Sequence, residues 1–243
     1  MFFVWIGFVQ SILANVEIMR CSYRVLSDWP HVESRFTQGL YWQEGWLFES
    51  TGGYGASRLI KQKFPQGNVT NMHALWPSEF AEDITVIGQK VYQLSWKSRT
   101  VFVYDKYTLN PIRRYRYRGQ GWGLTHTDQY FIRSNGSHCV FYHDLVTFTQ
   151  LGKRCLSNTS YRLNALSYYD GILYANNFPG DQLLRIHLQT MMVLDYIDLG
   201  RLRSGQKAGV ANGVAVYMPG EIMVTGKNWD KFYVLDIKSC RSR

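Results

Sequence analysis

Few residues in this chain are of types that do chemistry, and they lie far apart. Glu82 sits in the stretch Phe80-Ala81-Glu82-Asp83-Ile84. A carboxyl beside aromatic rings loses solvent and its pKa rises, which suits it to collect a proton and return it. Taken alone, a Glu just after a Phe in a strand reads as a solvated edge residue. Gln38 and Asn164 are amides in similarly apolar stretches, able to orient a polar ligand, and Phe36, Phe80 and Trp122 offer flat apolar faces. The six histidines (31, 73, 126, 138, 143 and 187) are dispersed, with no HExxH or tight His/Asp cluster, so no metal site is expected. Gly119, Gly121 and Gly123 resemble a phosphate loop only superficially, because no helix signal follows.

Positioning these residues falls to a repeat. Helical periodicity is almost absent, and short runs of β-branched and aromatic residues alternate with Gly, Asn and Asp. Five segments open alike: Phe36-Thr37-Gln38-Gly39-Leu40, Phe80-Ala81-Glu82-Asp83-Ile84, Gly121-Trp122-Gly123-Leu124, Leu163-Asn164-Ala165-Leu166 and Ala211-Asn212-Gly213-Val214, at spacings of 44, 41, 42 and 48 residues. Asp105, Asp144 and Asp236 recur at the end of a later apolar run. A period of about 40 to 50 residues with some four strands per unit is that of a β-propeller blade. The fold expected is all-β, a five-bladed propeller. The last repeat is one strand short, and a strand around residues 19–26 is expected to complete it and close the ring. In such a ring the first strand of each blade lines the channel, so the five openings converge on one mouth. A β-sandwich gives no reason for the repeat.

The chain of 243 residues is 46% hydrophobic and 19% charged, which excludes intrinsic disorder as its main state. Its net charge of +9 permits acidic partners. The densest basic cluster, Arg113, Arg114, Arg116 and Arg118, alternates with Tyr115 and Tyr117 as one polar strand face does, so nucleic acid is not the expected partner. Residues 1–14 are apolar and uncharged, too short to span a bilayer and suited to a secretory signal core, although no basic segment precedes it. That leaves residues 15–243 as one propeller domain, with no membrane span, exported and monomeric. Glycosylation triplets at Asn68, Asn135 and Asn158 agree with export. The four cysteines lack CxxC spacing. They suit two disulfides: Cys139 with Cys155 across a hairpin, and Cys21 with Cys240 at the seam; four buried thiols are the alternative.

The openings carry a resemblance as well. Phe36-Thr37-Gln38-Gly39-Leu40, the LFESTGGYG stretch at 47–55, Phe80-Ala81-Glu82, Tyr92-Gln93-Leu94-Ser95-Trp96, Gly121-Trp122-Gly123-Leu124, Arg162-Leu163-Asn164, Asn212-Gly213-Val214-Ala215 and the VTGKNW stretch at 224–229 follow one another as in the plant and bacterial type of glutaminyl-peptide cyclotransferase. The chain resembles that family over about 220 residues. The resemblance implies a five-bladed propeller acyltransferase that converts the N-terminal Gln of peptides and proteins to pyroglutamate with release of ammonia. It implies Glu82 as the catalytic carboxylate and proton shuttle, Lys227 as the channel lysine, and Gln38 and Asn164 as polar positioning groups. Phe36, Phe80, Trp96 and Trp122 match its aromatic wall, with Phe178 where a pocket Trp is usual. Lys227, Asn164 and the indole N–H groups are the candidate donors to an oxyanion. No cofactor is required by this chemistry, and a structural metal ion in the channel is left open.

Five positions depart from the family pattern. Ala165 and Ser167 flank Leu166 where an acidic pair is usual, Phe178 replaces the Trp, Asp83 replaces a Gly after the catalytic Glu, and Gly53 replaces a Leu. The altered pocket supports a second reading, a secreted propeller of impaired activity that binds peptides or a protein partner.

Overall fold

The computed structural model describes residues 18–205 and 209–240; the expected signal segment, 1–14, lies outside them. Five sheets, each built on four antiparallel strands, make up the chain, and one of them gains a short fifth strand. The innermost strands are Thr37–Gln43, Ala81–Ile87, Leu124–His126, Leu163–Tyr169 and Ala211–Met218, in what we number blades 1 to 5. Each neighbours the next around the axis, and the fifth packs on the first. The chain is a five-bladed propeller.

Burial follows from position in the blade. Inner strands are covered on both faces, whereas the outermost strands Val69–Ala74, Pro111–Arg116 and Gln150–Cys155 are largely exposed. The basic cluster lies on the second of these, where Arg116 donates to the Ser98 carbonyl and Thr100 Oγ1. Five apolar clusters fill the five blade interfaces. Leu94 and Val101 meet Phe131 and Phe148 between blades 2 and 3, and Leu40 and Leu47 meet Ala215, Met223 and Phe232 where blade 5 closes on blade 1. Since no blade can bury both faces alone, these interfaces hold the ring. The recurrent Asp makes the turn after the third strand. Asp105 Oδ1 accepts from the N–H groups of Tyr107 and Thr108, and Asp144 Oδ1 from those of Val146 and Thr147.

Closure uses the N-terminal segment, with one correction. The strand completing blade 5 is Arg24–Pro30, paired with Lys231–Asp236, and not residues 19–26. Arg20–Cys21 instead extends blade 4, parallel to Met192–Asp198. The shift is fixed by Cys21, which is disulfide-bonded to Cys240 with Cα atoms 5.5 Å apart. Cys139 and Cys155 are also bonded, as directly opposed partners in one hairpin. Beside the seam a buried polar cluster joins blade 5 to blade 1. His31 bonds the Trp229 carbonyl (2.6 Å) and Glu49 Oε1 (2.8 Å), and Glu49 also accepts from Arg35 and Thr37 at 2.8 Å each. Burial alone would raise the Glu49 pKa, but His31, Arg35 and Thr37 together pull it below the usual carboxylate range.

Candidate active site

The openings of the innermost strands meet at one end of the channel. The second strands run antiparallel to them, so their ends return to the same mouth and deliver Trp96, Phe178 and Lys227. Four of the five openings contain a register shift, between Thr37 and Gly39, Ala81 and Ile84, Leu163 and Leu166, and Ala211 and Val214. A bulge re-aims side chains that strict alternation sends to the sheet faces. Gln38, Glu82, Asp83, Asn164 and Asn212 all sit in these bulges.

Around the mouth the aromatic groups close a circuit. Phe36 meets Phe80 edge to face (6.2 Å between centroids), and Phe80 meets both Tyr54 (5.4 Å) and Trp96 (5.6 Å). Gln120 Oε1 accepts from Trp96 Nε1 (2.8 Å) and from Trp122 Nε1 (3.0 Å), tying the two indoles together. Trp122 meets Phe178 at 5.4 Å. Lys227 Nζ returns the circuit to its start, 5.1 Å from the Phe178 ring centre and 4.8 Å from that of Phe36. The nine residues expected at the site are thus brought to one end of the channel.

Inside this circuit Glu82 is only 5% exposed. Burial pushes its pKa well above the usual carboxylate range; the Lys227 charge opposes the rise and Asp83 adds to it. Burial lowers the Lys227 pKa, and Glu82 resists that change. Among the described residues the Glu82 carboxylate accepts no hydrogen bond, and only its backbone carbonyl is engaged, by Ser50 Oγ. Asp83 is the opposite case, fully buried and fully engaged. Its Oδ1 accepts from the Ile84 N–H (2.8 Å), and its Oδ2 from Leu124 (2.9 Å) and Leu166 (2.8 Å), joining blades 2, 3 and 4 at the axis. Two glycines make room. A Cβ on Gly39 would lie 2.0 Å from Asp83 Oδ1, and one on Gly123 would lie 2.0 Å from the Asn164 carbonyl oxygen. Asn164 is buried, and its Oδ1 has no partner among the described residues.

Two corrections and one placement follow. Both indole N–H groups expected as free donors, those of Trp96 and Trp122, are committed to Gln120 Oε1. Ser167 is remote from the mouth: its Oγ accepts from the Val216 N–H (3.2 Å) and lines a cavity at the other end of the channel. Phe178 occupies the aromatic position without leaving a gap in the circuit. Residues missed in the sequence are Gln120, Tyr54 and Asn212, whose Nδ2 donates to Gln38 Oε1 at 2.8 Å. Asn212 was findable, since it holds the repeat position of Asn164. Among the described residues one group of metal-binding types comes together, His138 with Cys139 and Cys155, and the disulfide removes its two thiolates.

A propeller whose mouth gathers an isolated acid, a buried lysine and a closed aromatic rim defines the class. The chain belongs to the glutamine cyclotransferase family, which it matches over residues 5–237. It is 30% identical over 231 residues to a glutaminyl-peptide cyclotransferase of Arabidopsis thaliana, covering 90% of this chain and 72% of that one. It is also similar to the crystal structure of Myxococcus xanthus glutaminyl cyclase, with a TM-score of 0.82 and 30% identity over 91% of this chain and 99% of the other. No helix among the described residues is long and apolar enough to cross a membrane.

Proposed function

We propose that this chain cyclises N-terminal glutamine of peptides and proteins to pyroglutamate, with Glu82 as proton shuttle. The observation that carries this reading is the Glu82 carboxyl, buried, without a donor among the described residues, and ringed by aromatic faces with Lys227. The α-amine attacks the γ-carboxamide carbon; a C–N bond forms as the oxygen takes on charge. Glu82 accepts the amine's proton and passes it to the departing nitrogen, which leaves as ammonia. Such transfer contributes roughly 10²–10⁴-fold. A pKa above the usual range favours the return step. Lys227 donates to the developing oxyanion. Asn164 positions the carboxamide, and Gln38, itself held by Asn212, orients the amine. Phe36, Phe80, Trp96, Trp122 and Phe178 hold the glutamine side chain folded back on its amine, where effective molarity supplies much of the rate.

Ammonia release from a Gln-initiated peptide tests the proposal. Turnover is expected in the parent, unaffected by a chelator, and reduced at least about a hundredfold in Glu82→Gln. Undiminished turnover in that variant, or peptide binding by the parent without turnover, refutes it. The two disulfides support a place in the secretory pathway.

A further inference from the structure

The far end of the channel holds a cavity of about 840 Å³, enclosed by the first turns of blades 1, 3, 4 and 5. This volume falls in the range of small-ligand sites, roughly 300–1,000 Å³. Its wall is aromatic: Tyr41, Trp42, Tyr168 and Tyr217 contribute, with Trp42 and Tyr217 ring centroids 4.7 Å apart. Three carboxylates, Glu44, Asp128 and Asp170, stand on its turns. The chain has 27 Lys and Arg residues, yet none lines this cavity among the described residues. His126, stacked on Tyr41 and bonded through Nδ1 to Thr85 Oγ1 (2.7 Å), adds no charge at neutral pH, because burial lowers its pKa. The Trp42 indole nitrogen itself is buried behind this wall, so Trp42 offers the cavity its ring and not its N–H.

We propose that this cavity is a second binding site, separate from Glu82, for a basic side chain presented by a peptide. Aromatic faces attract a guanidinium or alkylammonium group, and acids without competing bases neutralise it.

The test titrates Nα-acetyl-arginine methylamide into the whole protein by calorimetry. Nα-acetyl-citrulline methylamide serves as uncharged isostere, and tetramethylammonium as a bare cation. Saturable binding of the arginine amide is expected, with the citrulline analogue at least about tenfold weaker. Asp128→Asn with Asp170→Asn weakens it about tenfold; both positions lie on exposed turns, and Asn tolerates the left-handed backbone of Asp170 (φ 45°). Tetramethylammonium competes with the arginine amide for the site. Glu82→Gln leaves binding unchanged. The proposal fails if no saturable binding occurs, if citrulline binds equally well, if the Asp variants bind normally, or if Glu82→Gln removes the signal.

Discussion

Replacing Asp83 by Asn changes one atom at the point where three blades meet. The carboxylate accepts three backbone N–H groups on two oxygens, and the amide has only one oxygen. In its best orientation that oxygen keeps Leu124 and Leu166, and the new NH₂ faces the Ile84 N–H, donor against donor. One buried N–H is then unpaired and the NH₂ has no acceptor, at about 1–3 kcal/mol each. The opposing effect is burial, which pushes the Asp83 pKa well above its usual range while the three N–H groups pull against it. Relief of that burial cost favours the amide. We expect the donors to win, with Asp83→Asn about 2–4 kcal/mol less stable in urea unfolding at neutral pH. Whichever amide orientation prevails, at least one of the Ile84, Leu124 and Leu166 amides should lose hydrogen-exchange protection by tenfold or more, since about 1.4 kcal/mol is a factor of ten. A variant equal to the parent in midpoint and in exchange at all three amides refutes the reasoning, and a more stable one shows that desolvation dominates.

Lys227→Met removes the charge that opposes the rise in the Glu82 pKa, so the acidic limb of the kcat profile should move to higher pH, and any alkaline limb due to Lys227 should vanish. Gln120→Leu frees both indoles and should raise KM about tenfold with a smaller change in kcat, whereas Gln120→Glu, which still accepts from both, should restore KM. Glu49, with its folded pKa depressed, contributes stability that is complete above its ordinary value of 4.5 and lost as pH falls through the folded value. Glu49→Gln should flatten that acid slope in urea midpoints and cost about 3–5 kcal/mol near neutrality.

The ring was legible because each blade repeats the same local devices. An Asp after the third strand makes the same turn in blades 2 and 3, and the opening motifs fall in the same bulge. What stayed hidden depends on contacts between remote segments. Gln120 is an exposed loop amide until two indoles, from different blades, fold over it. The closing strand was misplaced by a few residues because nothing in its composition says which edge it joins; the Cys21–Cys240 bond decides it. Ser167 was read with Ala165 as one pair around Leu166. Beyond the bulge, however, the strand runs away from the mouth, so the two residues serve opposite ends of the channel.

Two departures that look independent in sequence meet in space. Asp83 stands where the family pattern has Gly, and Ala165 where it has an acid; Asp83 Oδ2 accepts the N–H of Leu166, the residue after Ala165. Asp83 thus ties blade 2 to blade 4 across the axis, and Gly39 clears the space it needs. This leaves two carboxylates side by side in one bulge with opposite surroundings. Asp83 has both oxygens engaged by backbone and serves the scaffold, whereas the Glu82 carboxylate has no donor among the described residues. Burial raises the Glu82 pKa first, and Asp83 beside it adds to the rise. Neighbouring acids driven apart by their environments are the usual basis for assigning one to structure and the other to proton transfer. Asp83 therefore supports the proposed shuttle, as a neighbouring charge that adds to the rise in the Glu82 pKa.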